Sequence, residues 1–173
     1  LKATPIMPIQ SAGDRFPPFE TKELRRQLVA FLTQKVEDPR TGNQVSIGSY
    51  KFGVYAFFDY DGEPIYVGQT VEKLSTRIRR HLTNQRTDAV AMKVLDPFEV
   101  YEIEVWPLPQ YQETPSSDAD AKNYLNWLEL EIFNTLKSKS HFGEVLNEKV
   151  PAYVPNSEYV IPESCLLYTS PSP

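Results

Sequence analysis

The chain is poor in the residues that usually announce a site: it has one cysteine, Cys165, two histidines, His81 and His141, and no glycine-rich phosphate loop. A single cysteine excludes a disulfide framework and a cysteine-based zinc site, and two histidines so far apart exclude a histidine metal site. None of the serines sits in a nucleophile-elbow pattern, so acyl-transfer chemistry has no support. No run approaches the stretch of about 20 apolar residues that a helical bilayer span needs, which excludes a transmembrane helix. No charged-then-apolar leader opens the chain, and with the cysteine count this gives the expectation of a cytoplasmic protein. Positive charge is also short, 18 Lys and Arg against 23 Asp and Glu for a net charge of -5. Such a balance argues against coating nucleic acid by bulk attraction, which works by neutralising many phosphates. What is present is ordinary: 173 residues, 40% hydrophobic and 24% charged, enough for one domain that buries a core without disulfide help.

The distribution of charge says more than its sum. Residues 73–93 hold Lys73, Arg77, Arg79, Arg80, Arg86 and Lys93 against the single acid Asp88, a local balance of +5 inside an acidic chain. This patch suits a few phosphates, and Lys73, Arg79, Arg80, Arg86 and Lys93 are its candidate phosphate-binding residues. Residues 1–19 carry too much proline for a packed helix and are expected to form a flexible arm. Residues 165–173 lack a periodic pattern and resemble a translated adaptor or cloning tail; residues 161–173 are therefore set apart and assigned no function.

Between these ends the patterning is regular. Over residues 21–36, Leu24, Leu28, Phe31, Leu32 and Val36 recur at helical spacing, so residues 20–49 read as an N-terminal helix followed by a loop. Two extended runs, residues 52–58 and 64–67, flank an Asp-Gly turn, a strong hairpin signal because glycine accepts the positive φ such a turn demands; Gly68-Gln69-Thr70 is expected to end the second strand. Residues 74–81 are helical, with Leu74, Ile78 and Leu82 on one side and Arg77 and His81, four apart, on another. A weak helix over residues 89–95, a strand over residues 98–107 and a strongly apolar helix over residues 121–136, capped by Asp118 or Asp120, complete the set. Helix, hairpin, basic helix, strand, apolar helix gives an α/β fold, a small three-stranded antiparallel sheet flanked by helices with an N-terminal helical addition, its core at residues 50–160.

Within that order sit Gly53-Val54-Tyr55 on the first hairpin strand and Tyr66-Val67-Gly68 at the end of the second, with Arg77 and His81 on the helix behind them. This constellation resembles the signature of the GIY-YIG nuclease family over residues 50–148. The resemblance implies a metal-binding glutamate on a later helix and an asparagine beyond it. Glu129 and Glu131 compete for the first role. Glu129 is followed by Ile132, Phe133 and Leu136, the apolar spacing of the family, whereas Glu131 is followed by polar residues, so Glu129 is chosen. Asn147 is the candidate asparagine, at a longer spacing than the family's.

The chemistry needs these residue types. Phosphodiester hydrolysis requires an activated water, neutralisation of charge on the phosphoryl oxygens and help for the departing 3' oxygen. The resemblance makes Tyr55 the general base with Tyr66 beside it and His81 as a proton relay; Arg77 offers a fork of donors for the scissile phosphate. Glu129 would hold Mg²⁺, with Mn²⁺ as an alternative ion. Residues 64–87 offer only one acid, Glu72, which favours a single ion over a two-metal site. The leading expectation is a Mg²⁺-dependent DNA endonuclease; the competing ones are a DNA-binding module that keeps the fold without cutting and a protein-interaction domain. Without a zinc site or helix-turn-helix signal, DNA selection falls to the basic patch, to a homo-oligomer or to a separate targeting partner.

Overall fold

The computed structural model describes residues 21–82, 99–145, 147 and 158–168. The arm, the weak helix over residues 89–95, Arg86 and Lys93 lie outside the described residues.

Helix α1, Thr21–Thr33, buries Leu28, Phe31 and Leu32. It stops three residues before the expected end. The Thr33 hydroxyl donates to the Val29 carbonyl at 2.7 Å, and Gln34 N–H closes a tight last turn on the Phe31 carbonyl at 3.0 Å. Val36 therefore belongs to a strand, β1 (Lys35–Glu37), which pairs antiparallel with β2 (Gln44–Ser46) where a loop was expected. The turn between them is organised by Asp38, which accepts from the backbone N–H and the guanidinium of Arg40 at 2.9 and 3.0 Å. Val36 stays buried, so its apolar periodicity was satisfied by a β-branched strand position rather than by a fourth helical turn.

Strands β3 (Lys51–Phe58) and β4 (Pro64–Lys73) form the hairpin. Gly62 takes φ 78° in its turn, and the Asp59 carboxylate accepts from the N–H groups of Asp61 and Glu63, each at 2.9 Å. β4 does not end at Gly68. It continues through Gln69 and Thr70 to Lys73, because the ladder to β3 is kept across the glycine: Tyr55 opposes Gly68, Val54 opposes Gln69 and Gly53 opposes Thr70. Helix α2 (Leu74–Leu82) follows at once, burying Leu74, Ile78 and Leu82. Strand β5 (Glu102–Pro107) pairs with the other side of β3 and begins four residues later than expected. Helix α3 (Ala119–Lys139) is longer than its apolar pattern at both ends; Asp118 is its cap, accepting from Ala121 N–H at 2.8 Å.

The sheet order is β4-β3-β5, three antiparallel strands flanked by helices, extended by a fourth strand, β6 (Cys165–Tyr168), on the outer edge of β5. Two cores cover its two faces. Tyr55, Phe57, Ile103 and Val105 point to one face, where they meet Leu28, Phe31 and Leu32 of α1 and Leu74, Ile78 and Leu82 of α2. Val54, Ala56, Val67 and Trp106 point to the other, against Leu125, Leu128, Ile132 and Phe133 of α3. Alternation along the strands thus sorts neighbouring residues to opposite layers. β4, on the sheet's edge, borders both.

Candidate active site

Tyr55 lies in the middle of β3, on the α2 face, with none of its surface exposed. Directly across the ladder is Gly68. A Cβ at Gly68 would stand 2.6 Å from the Tyr55 hydroxyl and 2.7 Å from the Tyr66 ring, so the position tolerates only hydrogen. Removing that side chain brings the two tyrosines together over the strand; their rings lie 6.2 Å apart at 30°. Arg77 and His81, one turn apart on α2, reach the same phenol. Arg77 Nε donates to Tyr55 Oη at 3.3 Å, and His81 Nε2 lies 2.9 Å from that oxygen. The His81 ring also lies 5.3 Å from that of Tyr66. With Nε2 unprotonated, the phenol accepts from the guanidinium and donates to the imidazole, a directed chain of two hydrogen bonds.

Burial dominates the electrostatics of Tyr55. It pushes the phenol well above the usual tyrosine range, reinforced by Tyr66 and opposed by the Arg77 charge and hydrogen bond. The cation beside the phenol thus offsets the effect of burial without overcoming it, and the resting hydroxyl keeps its proton.

Glu129 approaches from the other face. It sits on α3 three residues after Asn126, so the two share a side of the helix, and both meet Gln69 of β4. The Gln69 amide nitrogen donates to Asn126 Oδ1 at 2.7 Å and to Glu129 Oε2 at 3.0 Å. Burial raises the Glu129 carboxyl to about 7, against the lowering effects of the Gln69 hydrogen bond and the Arg77 charge. The Arg77 charge lowers both groups and the Glu129 charge raises Tyr55, so the carboxylate and the phenol share one electrostatic neighbourhood although their strands and helices belong to opposite faces. Of the two competing glutamates, it is Glu129 that meets the motif strand.

Asn147 is placed differently from the other predicted residues. Its side chain forms both backbone hydrogen bonds of Val67, accepting from the N–H at 2.9 Å and donating to the carbonyl at 2.6 Å. It therefore satisfies the open edge of β4 inside the Tyr66-Val67-Gly68 tripeptide, where no strand among the described residues does. Among the basic residues, Lys73 and Arg79 are exposed, while Arg80 holds Glu72 in an ion pair at 2.7 Å. Gln69 and Asn126 were not singled out from the sequence. The available signals were modest: Gln69 follows the motif glycine directly, and Asn126 precedes Glu129 by one helical step.

A divalent cation suits the donor set at the edge of β4. No cluster of three or more His, Cys, Asp or Glu side chains exists among the described residues. The single carboxylate of Glu129 supplies a hard oxygen donor, the demand of an ion such as Mg²⁺ that keeps most of its waters.

A small antiparallel sheet thus lies between two helical layers, with a phenol held by arginine and histidine on its inner strand β3 and a carboxylate reaching the neighbouring edge strand β4. The model of the GIY-YIG catalytic domain matches residues 51–140, just over half of the chain, and the chain belongs to that family of nucleases. No curated protein and no solved structure matches it. Members of the family cleave DNA and generally use a divalent metal. No helix among the described residues is long and apolar enough to cross a membrane.

Proposed function

We propose that this protein is a Mg²⁺-dependent DNA endonuclease that hydrolyses phosphodiester bonds with Tyr55 as general base and a single ion held by Glu129. The observation that carries the reading is the hydrogen-bonded chain from Arg77 Nε through Tyr55 Oη to His81 Nε2. Moving the phenolic proton to the imidazole is opposed by the burial that holds the phenol above its ordinary range, and the step becomes accessible once further positive charge gathers around the oxygen. His81 takes the proton from Tyr55, and the phenolate takes one from the water that attacks phosphorus in line with the 3' oxygen. The P–O3' bond breaks as the new P–O bond forms. Arg77 braces the phenol through Nε and turns the rest of its planar fork to the phosphoryl oxygens. When bound, the divalent ion supplies neutralisation of the developing phosphoryl charge and support for the leaving oxygen. Tyr66 lines the phenol and histidine rings, Asn147 holds the motif strand, and Lys73, Arg79, Arg80, Arg86 and Lys93 attract flanking phosphates.

Nicking of supercoiled plasmid tests this directly. Wild-type protein with Mg²⁺ should nick, and Tyr55→Phe should still bind DNA while losing about 10² to 10⁴-fold in rate, the range of a general base. Arg77→Lys should also be strongly impaired, since a charge remains but the fork does not. Wild-type protein that binds DNA with Mg²⁺ and never nicks it would instead be a binding module on this fold.

A further inference from the structure

Glu129 and the phenol belong to opposite faces of the sheet, so the position of the carboxylate at the β4 edge needs a cause. Gln69 supplies one. It is the first residue after Gly68, and strand alternation turns it to the α3 face, next to the gap in the side-chain row that the glycine leaves on the other face. Its amide nitrogen carries two N–H groups, and each has an acceptor: Glu129 Oε2 at 3.0 Å and Asn126 Oδ1 at 2.7 Å. With both donors engaged, the amide has one orientation. The carboxylate is tethered through Oε2, and Oε1 is left as the donor for a cation. A neutral amide is well matched to this task, because a lysine or arginine here would also hold the carboxylate but would repel the ion.

We propose that Gln69 is a positioning residue for the cation-binding carboxylate of Glu129, with Asn126 locking the Gln69 amide in the orientation that grips it. This rests on the reading of Glu129 as the metal ligand. Groups that orient a metal ligand without touching the ion typically matter by 10- to 100-fold in affinity.

The test is calorimetric titration of the full chain with Mn²⁺ in the absence of DNA, paired with the Mg²⁺ concentration that half-saturates plasmid nicking. Gln69→Leu should weaken Mn²⁺ binding about tenfold and raise the Mg²⁺ requirement by a similar factor, while DNA binding in EDTA is unchanged. Asn126→Ala should give a smaller loss, and the double variant should bind Mn²⁺ no more weakly than Gln69→Leu alone, because Asn126 acts through Gln69. Should Gln69→Leu fail to fold, a several-fold loss of Mn²⁺ affinity in Asn126→Ala carries the same conclusion, and wild-type affinity in that variant overturns it. Wild-type Mn²⁺ affinity in folded Gln69→Leu, or losses that multiply in the double variant, overturn the proposal and leave the nuclease reading intact. Wild-type protein that binds no Mn²⁺ overturns both.

Discussion

The two faces of the sheet are built alike and charged differently. Toward α2, apolar side chains surround a phenol, a guanidinium and an imidazole; toward α3, an equally apolar layer ends in a carboxylate and two amides. The phenol, guanidinium and imidazole are thus gathered on one layer and the carboxylate with its two amides on the other, meeting along β4. Placing the phenol and the carboxylate on opposite faces separates their packing but not their charges, since Glu129 still raises Tyr55.

The sharpest way to break this arrangement is at the edge itself. Gly68→Ala places a methyl 2.6 Å from the Tyr55 hydroxyl, so phenol, histidine and arginine must all move. We expect at least about a hundredfold loss of nicking, the scale on which misplacement of a catalytic group is felt, together with roughly 1 to 3 kcal/mol of destabilisation from overpacking, read from denaturant unfolding. Near-normal cleavage in that variant would show that the two faces are not coupled through the glycine.

Next in size is the removal of the carboxylate. Glu129→Gln should abolish Mg²⁺-dependent nicking while circular dichroism stays native, and Glu131→Gln should not. The reverse result would move the metal ligand to the other glutamate. The same variant reads the cost of burying Glu129. Its folded carboxyl is raised to about 7 from an ordinary value near 4.5, so the folded chain binds the extra proton between those values. The associated stability is present below about pH 4.5 and is lost as pH rises through 7, on the order of 3 kcal/mol in metal-free protein. Glu129→Gln should flatten that part of the pH profile in urea melts; an unchanged slope would place the titration elsewhere.

The smallest expected effect belongs to the basic rim. Arg79→Ala should weaken DNA binding about equally for all sequences and reduce the slope of log affinity against log salt by about one. Loss of cleavage with unchanged binding would put Arg79 in the chemistry instead.

Much of the α2-facing half was legible in the linear pattern. Gly53-Val54-Tyr55, the Asp-Gly turn, Tyr66-Val67-Gly68 and the four-residue step from Arg77 to His81 are local features whose geometry follows from a hairpin and one helical turn. The failures were also physical. Val36 satisfies helical and strand periodicity equally, and a two-stranded pairing captured it. Gly68-Gln69-Thr70 read as a strand break because isolated glycine and polar residues weaken strands, yet the ladder to β3 carried the strand through. Asn147 stood at an unexpected spacing from Glu129, and its contact is with the backbone of Val67, eighty residues away, which no spacing rule encodes.

What the amino-acid order determined by itself was the inventory: two tyrosine tripeptides, a basic helix, a glutamate on an apolar helix, and the alternation that sends Tyr55 and Val54 to opposite layers. The meeting of Glu129 with Gln69, the closing of the β4 edge by Asn147 and the strength of burial over the Arg77 charge at the phenol were decided only by tertiary structure. Such contacts depend on how two helices and an edge strand come to rest against each other, and desolvation depends on everything that surrounds a group rather than on its neighbours in the chain.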